Sequence, residues 1–409
     1  MASTPIAGTA TLGAVPLRQD AQIIGLVSVA HLISHFSQLL LPPLFPWLKE
    51  ALGASYTELG FLMTVFFGVS CAVQAASGFW VDKYGPRPVL FMGLGLIGVA
   101  ALGFSLVNSY GGLLVFVVLA GVGNGVFHPV DYTLINKKVS APRLGHAYST
   151  HGLSGSLGWA LAPAVLVPIT MASSYRVALQ VASAMAFAVL VLLWFKRKEL
   201  VMPSDPPRQA TEFVAKSQNF AFLRIPAVWA CFGFFLLFAI VISVIQAFAP
   251  EAARHLHGLP VGMAAACLTI YMVCSAGGMV LGGFLASDPA RCERVVGIAF
   301  ACAAALSLVL GLAPLPSLAV PVLFAMMGFA AGTAGPSRDL LVKKTTPDNA
   351  TGRVYGVVYA GLDIGQATAP LLFGPLMDRG QFVGVFIGLA MVQLLLIGGA
   401  FNVRKARRT

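Results

Sequence analysis

His31, Ser34, His35 and Gln38 recur at steps of three and four within one apolar run, so a helix through that run gathers them on one face. His128 and Asp131 stand in a second apolar run and His151 opens a third. Asp363 lies in another, with Tyr359 one turn before it and Gln366 three residues after. Ionisable groups are expensive in hydrocarbon and are tolerated where they face a bundle interior or a water-filled path. The chemistry open to these types is narrow. An imidazole gains or loses a proton near neutrality, a carboxylate exchanges one as its surroundings alternate between apolar and wet, and amides and phenols orient a polar ligand. His31, His35, Gln38, Tyr359, Asp363 and Gln366, joined by Phe66 and Tyr271 from other runs, are therefore the candidates for binding a substrate or a proton. Plain hydrogen bonding between helices is the competing role, and spacing does not separate the two.

Elements long enough to cross a bilayer must position these side chains. The 409 residues are 58% hydrophobic and 10% charged, with mean hydropathy +0.84, whereas soluble domains carry roughly 25% charged residues. This composition specifies an all-α integral membrane protein, because each spanning segment must satisfy its own backbone inside the bilayer. Twelve apolar runs are expected, near 22–44, 57–81, 89–107, 111–135, 147–169, 175–195, 226–248, 261–286, 295–312, 317–341, 354–376 and 382–403. Residues 1–21 have no basic region leading into a short apolar core, so a cytoplasmic tail is expected there rather than a cleaved leader. Six cysteines, at 71, 231, 267, 274, 292 and 302, show neither disulfide nor metal-ligand spacing and read as small packing residues. No metal and no cofactor is expected. The absence of a GxxxxGK[ST] loop argues against direct ATP drive and implies an ion gradient.

The chain repeats itself. An offset of 207 brings Pro129 onto Pro336, Asp131 onto Arg338, Lys137 onto Lys344, Gly145 onto Gly352, Tyr148 onto Tyr355, Gly158 onto Gly365 and Pro163 onto Pro370. One offset holding across several runs predicts two six-helix halves in parallel orientation, over 22–195 and 226–403. The polar segment 196–225 joins them and a basic tail, 404–409, follows. Of the 26 Lys and Arg, only Lys49, Arg176, Arg254 and Arg379 fall on the side opposite the termini. The net charge of +11 thus marks cytoplasmic turns rather than a nucleic-acid surface and puts both termini inside. Depth along the runs divides the polar residues. His31, His35 and Asp363 lie mid-span, where a coupling group can be reached from either side in turn. Asp131 and Arg338 fall near run ends in matching positions and, with His128, Arg143, His151 and Asp339, are candidates for a gate. Trp159, well inside its run, is open to either core packing or substrate contact.

The turn Gly78-Phe-Trp-Val-Asp82-Lys-Tyr-Gly85-Pro-Arg87 resembles the GxxxDxxGxR signature of the major facilitator superfamily, in which Asp82 and Arg87 would form a latch for one facing state. Ser34-His35-Phe36, the segment Gly125-Val-Phe-His128-Pro129 and Arg143-Leu-Gly-His-Ala-Tyr-Ser149 narrow the likeness to fosmidomycin-resistance-type permeases. The resemblance covers both halves and is stronger in the first. It implies a twelve-helix secondary transporter of the bacterial inner membrane, not an enzyme, that exports a small organic molecule or anion by proton antiport. Its partners would be cargo, protons and membrane lipid, and it would act as a monomer. Where the family often carries an acid two residues after the SHF aromatic, this chain has Gln38. Proton-linked uptake of an organic anion uses the same fold and nearly the same site. A membrane sensor that does not transport would normally bring an added soluble domain.

Overall fold

A computed structural model describes residues 16–202, 226–285, 292–338 and 351–406, side chains at 227, 351–357, 359 and 400–406 excepted. In the first half the helices are α1 (Leu17–Gln38), α2 (Phe45–Leu52), α3 (Tyr56–Tyr84), α4 (Pro86–Leu106), α5 (Tyr110–Asn124), α6 (Phe127–Lys138), α7 (Leu144–Ala172) and α8 (Tyr175–Phe195). The second half holds α9 (Pro226–Ala247), α10 (Ala249–His257), α11 (Val261–Leu285), α12 (Cys292–Leu312), α13 (Ala319–Thr333), α14 (Thr351–Asp378) and α15 (Phe382–Ala406). Eleven helical stretches are long and apolar enough to cross a membrane, and α14 supplies the twelfth long helix. The all-α class expected from composition is the one observed, with no strand among the described residues.

Several expected runs differ in detail. The first helix starts at Leu17 rather than 22, because Asp20 is fully buried and anchored by Arg143 Nη1 at 2.7 Å, by the Ser140 N–H at 3.2 Å and by the Ser140 hydroxyl. The run 111–135 is two helices, interrupted at Gly125 and Val126. Pro129 has no N–H to offer the Gly125 carbonyl and its ring crowds that oxygen. Ser77 Oγ donates to the freed carbonyl instead, at 3.4 Å. Pro336, the offset partner of Pro129, follows a corresponding interruption at Ala334.

The repeat is visible in the packing. A Cβ added to Gly121 or Gly125 would come within 2.8 Å of the Phe66 carbonyl or 2.5 Å of the Ser70 carbonyl, so α5 lies directly on the backbone of α3. A Cβ on Gly328 or Gly332, each 207 residues on, would likewise meet the Tyr271 or Ser275 carbonyl of α11, at 2.2 or 2.0 Å. Small residues are what allow membrane helices to approach this closely. Pro163 and Pro168 within α7 recur as Pro370 and Pro375 within α14.

Contacts between the halves gather at one end. Asp378, closing α14, accepts from the N–H groups of Tyr56 and Thr57 at 2.6 and 2.9 Å, a carboxylate placed at the positive end of α3. Tyr56 Oη donates to Glu251 at 2.9 Å, and Glu251 also holds Arg254. These hydrogen bonds keep the Arg254 guanidinium protonated still more firmly than usual. Thr64 Oγ1 donates to the Ala367 carbonyl at 2.7 Å and Thr269 Oγ1 to the Ala160 carbonyl at 3.2 Å. At the same end Lys49 lies over the Tyr56 ring and Arg254 pairs with Glu251.

Candidate functional site

The polar residues fall into two groups that the chain order does not announce. Asp131, on α6, is fully buried. Its Oδ2 is hydrogen-bonded to His151 Nε2 of α7 at 3.1 Å. His31 Nδ1 of α1 lies 3.0 Å from the same oxygen, out of line for a hydrogen bond. The His31 and His151 rings stack with centroids 3.6 Å apart. His35 joins His31 at 4.4 Å and packs against Trp159 at 4.4 Å, while His128 reaches His31 at 5.4 Å and stacks over Tyr132 at 6.0 Å. Room for these rings comes from α7: a Cβ on Gly155 would sit 2.8 Å from the His35 ring, and one on Gly158 2.3 Å from the Leu32 carbonyl.

Depth therefore separated what the fold unites. His31 and His35 contact the set reckoned as gate, His128, Asp131 and His151, and all five residues sit on three helices of one half. Asp131 Oδ1, His31 Nδ1 and His128 Nδ1 are buried with no hydrogen-bond partner among the described atoms. Each such atom costs about 1–3 kcal/mol if its need goes unmet.

A separate amide network lies beside the cluster. Gln38 Oε1 accepts from Trp159 Nε1 at 2.9 Å, Gln38 Nε2 and Ser34 Oγ donate to Asn124 Oδ1 at 3.2 and 2.9 Å, and Asn124 Nδ2 donates to Ser70 at 2.8 Å. Gln38 is thereby tied into bonds that join α1, α3, α5 and α7. Asn124 escaped the sequence reading, although a lone amide inside an apolar run is itself the signal of such glue. Asp20, Glu251 and Asp378 escaped it as well, since each lies near a helix end where acids are unremarkable.

The second group includes a bond between the halves. Asp363 Oδ2 of α14 accepts from Gln74 Nε2 of α3 at 3.3 Å. Nearby on α14, the Gln366 carbonyl accepts from Ser243 at 3.2 Å, and its Oε1 has no partner among the described atoms. Tyr271 is fully buried with its hydroxyl equally unpartnered, and Phe66 is buried against Phe67. Arg338 spreads its guanidinium over Phe238 and Phe235, 4.4 and 5.1 Å from the ring centroids. Arg143 tethers the turn before α7 to Asp20, within one half. Asp82 is exposed and Arg87 half-buried. The side chain of Tyr359 and all of Asp339 lie outside the described residues.

Comparison with known proteins gives this geometry its context. A family model described as Major Facilitator Superfamily matches residues 27–370. An uncharacterised MFS-type transporter, YfnC of Bacillus subtilis, is 25% identical over 381 residues, covering 91% of this chain and 90% of that protein. The fosmidomycin resistance protein of Escherichia coli is 30% identical over 162 residues, 39% of either chain. Among solved structures, a bacterial homologue of the human lysosomal transporter Spinster, in an inward-facing and occupied conformation, superimposes with a TM-score of 0.75 at 15% identity. That superposition covers 97% of this chain and 98% of the other, a likeness of fold. The chain belongs to the Major Facilitator Superfamily.

Proposed function

We propose that the protein is a proton-coupled secondary transporter that exports a small organic or anionic compound across the bacterial inner membrane by alternating access. The observation that carries this reading is the bond from Gln74 to Asp363, a carboxylate of one half held by an amide of the other. Rocking of the halves breaks that bond and changes what Asp363 faces, so the proton and the cargo enter one free-energy cycle and each biases the other. Asp363, Gln366 and Tyr271 form the substrate and proton face, while Asp82, Arg87 and Arg338 adjust the balance between facing states. Export is favoured by the likeness of part of the chain to the fosmidomycin resistance protein. The end at which the halves meet is then periplasmic and both termini are cytoplasmic.

Substrate-induced proton flux in proteoliposomes, scanned over phosphonates and organic acids, tests the coupling. A cargo that moves with no accompanying proton flux refutes it, and flux in the same direction as the cargo assigns uptake by symport instead. Orientation has its own test. In a chain whose six native cysteines are replaced, a cysteine at Ser204 is expected to label only after the membrane is opened. Labelling from outside intact cells rejects the topology.

A further inference from the structure

We propose that His31, His128, His151 and Asp131 form a binding site for one first-row divalent transition-metal ion of the zinc class. The ligating nitrogens of the three histidines all lie within 4.8 Å of one another. Asp131 Oδ2 is 3.0 Å from His31 Nδ1 and 3.1 Å from His151 Nε2, so a carboxylate donor already stands beside two of the three. Three imidazoles and a carboxylate are the donor set that zinc takes in tetrahedral geometry, with metal–nitrogen bonds of about 2.0–2.1 Å and hence nitrogens about 3.3 Å apart. Drawing the present donors onto such an ion takes side-chain adjustments of about 1 Å on that geometry. No thiolate is in the group, which argues against Cu(I), and imidazole donors argue against magnesium and calcium.

The unpartnered atoms point the same way independently. His31 and Asp131 are 2% and 0% exposed, yet His31 Nδ1 and Asp131 Oδ1 have no hydrogen bond among the described atoms, and neither has His128 Nδ1. A cluster built only as packing would satisfy these atoms or dispense with them. His35 and Tyr132 close the surroundings, Tyr132 stacking on the His128 ring and His35 lying against His31. All four ligands come from α1, α6 and α7 of one half. The ion therefore pins α6, the segment set free by the interruption at Gly125, to its two neighbours. It does not bridge the halves, so its affinity is independent of which way the transporter faces.

The test uses the full chain, purified in detergent with any polyhistidine tag removed, with no substrate and no gradient. Its outcome is thus separate from that of the transport reading. Loading with Co²⁺ is expected to give the intense visible bands of a tetrahedral ion, and elemental analysis after zinc loading and gel filtration is expected to give one zinc per chain. Asp131→Asn, His151→Gln and the milder His128→Gln are each expected to weaken binding at least about tenfold. His146→Gln on the exposed start of α7 and His255→Gln, which removes one of the partners of Glu251, are expected to bind as the parent does. Absence of zinc from the parent chain overturns the proposal, whatever the variants do. It is equally overturned by unchanged binding in monodisperse His128→Gln and His151→Gln, or by loss confined to His255→Gln.

Discussion

Where the first half sets Asp131 against His31, the second half, 207 residues on, sets Arg338 over the ring of Phe238. The same offset turns His35 into Ile242, His128 into Gly335, His151 into Val358 and Asn124 into Ala331, and it turns Ser156 into Asp363. The backbone contacts are nevertheless kept. Gly121 and Gly125 press on α3 as Gly328 and Gly332 press on α11, and Gly158 and Gly365 each stand where a Cβ would meet a carbonyl oxygen at 2.3 Å. Helix approach depends on the absence of a side chain and has few substitutes, so both copies retain it. Chemistry at the same depth depends on which side chain projects, and the copies have parted there. One half carries the buried histidine cluster; the other contributes the carboxylate that reaches across the interface.

The comparison is broken most forcefully at Asp363. Asp363→Asn is expected to reduce substrate-driven proton flux in proteoliposomes at least about tenfold while downhill exchange persists, since the amide mimics the protonated acid and the loss exceeds about 1.4 kcal/mol in the coupled step. Ser156→Ala, at the matching position of the first half, is expected to leave flux within about twofold of the parent, because its hydroxyl only donates to the Gly152 carbonyl of its own helix. Equal losses in the two variants would mean that the halves are functionally alike at this depth.

The next prediction tests what the halves share. Gly158→Ala and Gly365→Ala each force a methyl against a backbone oxygen that cannot swing away, and overpacking of this kind costs about 1–3 kcal/mol. Both should lower the thermal unfolding midpoint in detergent, and by similar amounts. A midpoint unchanged in one but lowered in the other would show that the matched approach is structural in only one half.

The smallest effect lies at the helix starts. Ser174 Oγ accepts from the Val177 N–H at 3.3 Å and caps α8, whereas Gln381 stands at the matching position before α15. Ser174→Ala is expected to cost about 1 kcal/mol, and Gln381→Ser to add a fraction of that by supplying the cap the second copy lacks. Denaturation midpoints of the two variants check the sign, and a loss in Gln381→Ser would show that the glutamine has a role of its own there.

Much of the scaffold was legible because its causes are local. A span must be long and apolar and must satisfy its own backbone, so composition and run length gave the all-α membrane class and the long helices without reference to neighbours. The offset of 207 and the turn from Gly78 to Arg87 carried the family for the same reason: they are patterns along one chain. The interruption at Gly125 was latent in Pro129, whose missing N–H is also a local fact.

The site was decided elsewhere. Helical periodicity places His31 and His35 on one face but says nothing of the helix that face meets, and Asp131 and His151 come to it from far along the chain. Counting depth in separate runs paired His31 with Asp363, whereas the register between packed helices gives Asp131 to His31 and Gln74 to Asp363. That register is set by glycines such as Gly155 and Gly158, which fix how closely α7 lies on α1. The sequence thus determined which residues could not face lipid; only the packing of distant helices, a matter of a few ångströms between backbones, determined which of them face one another.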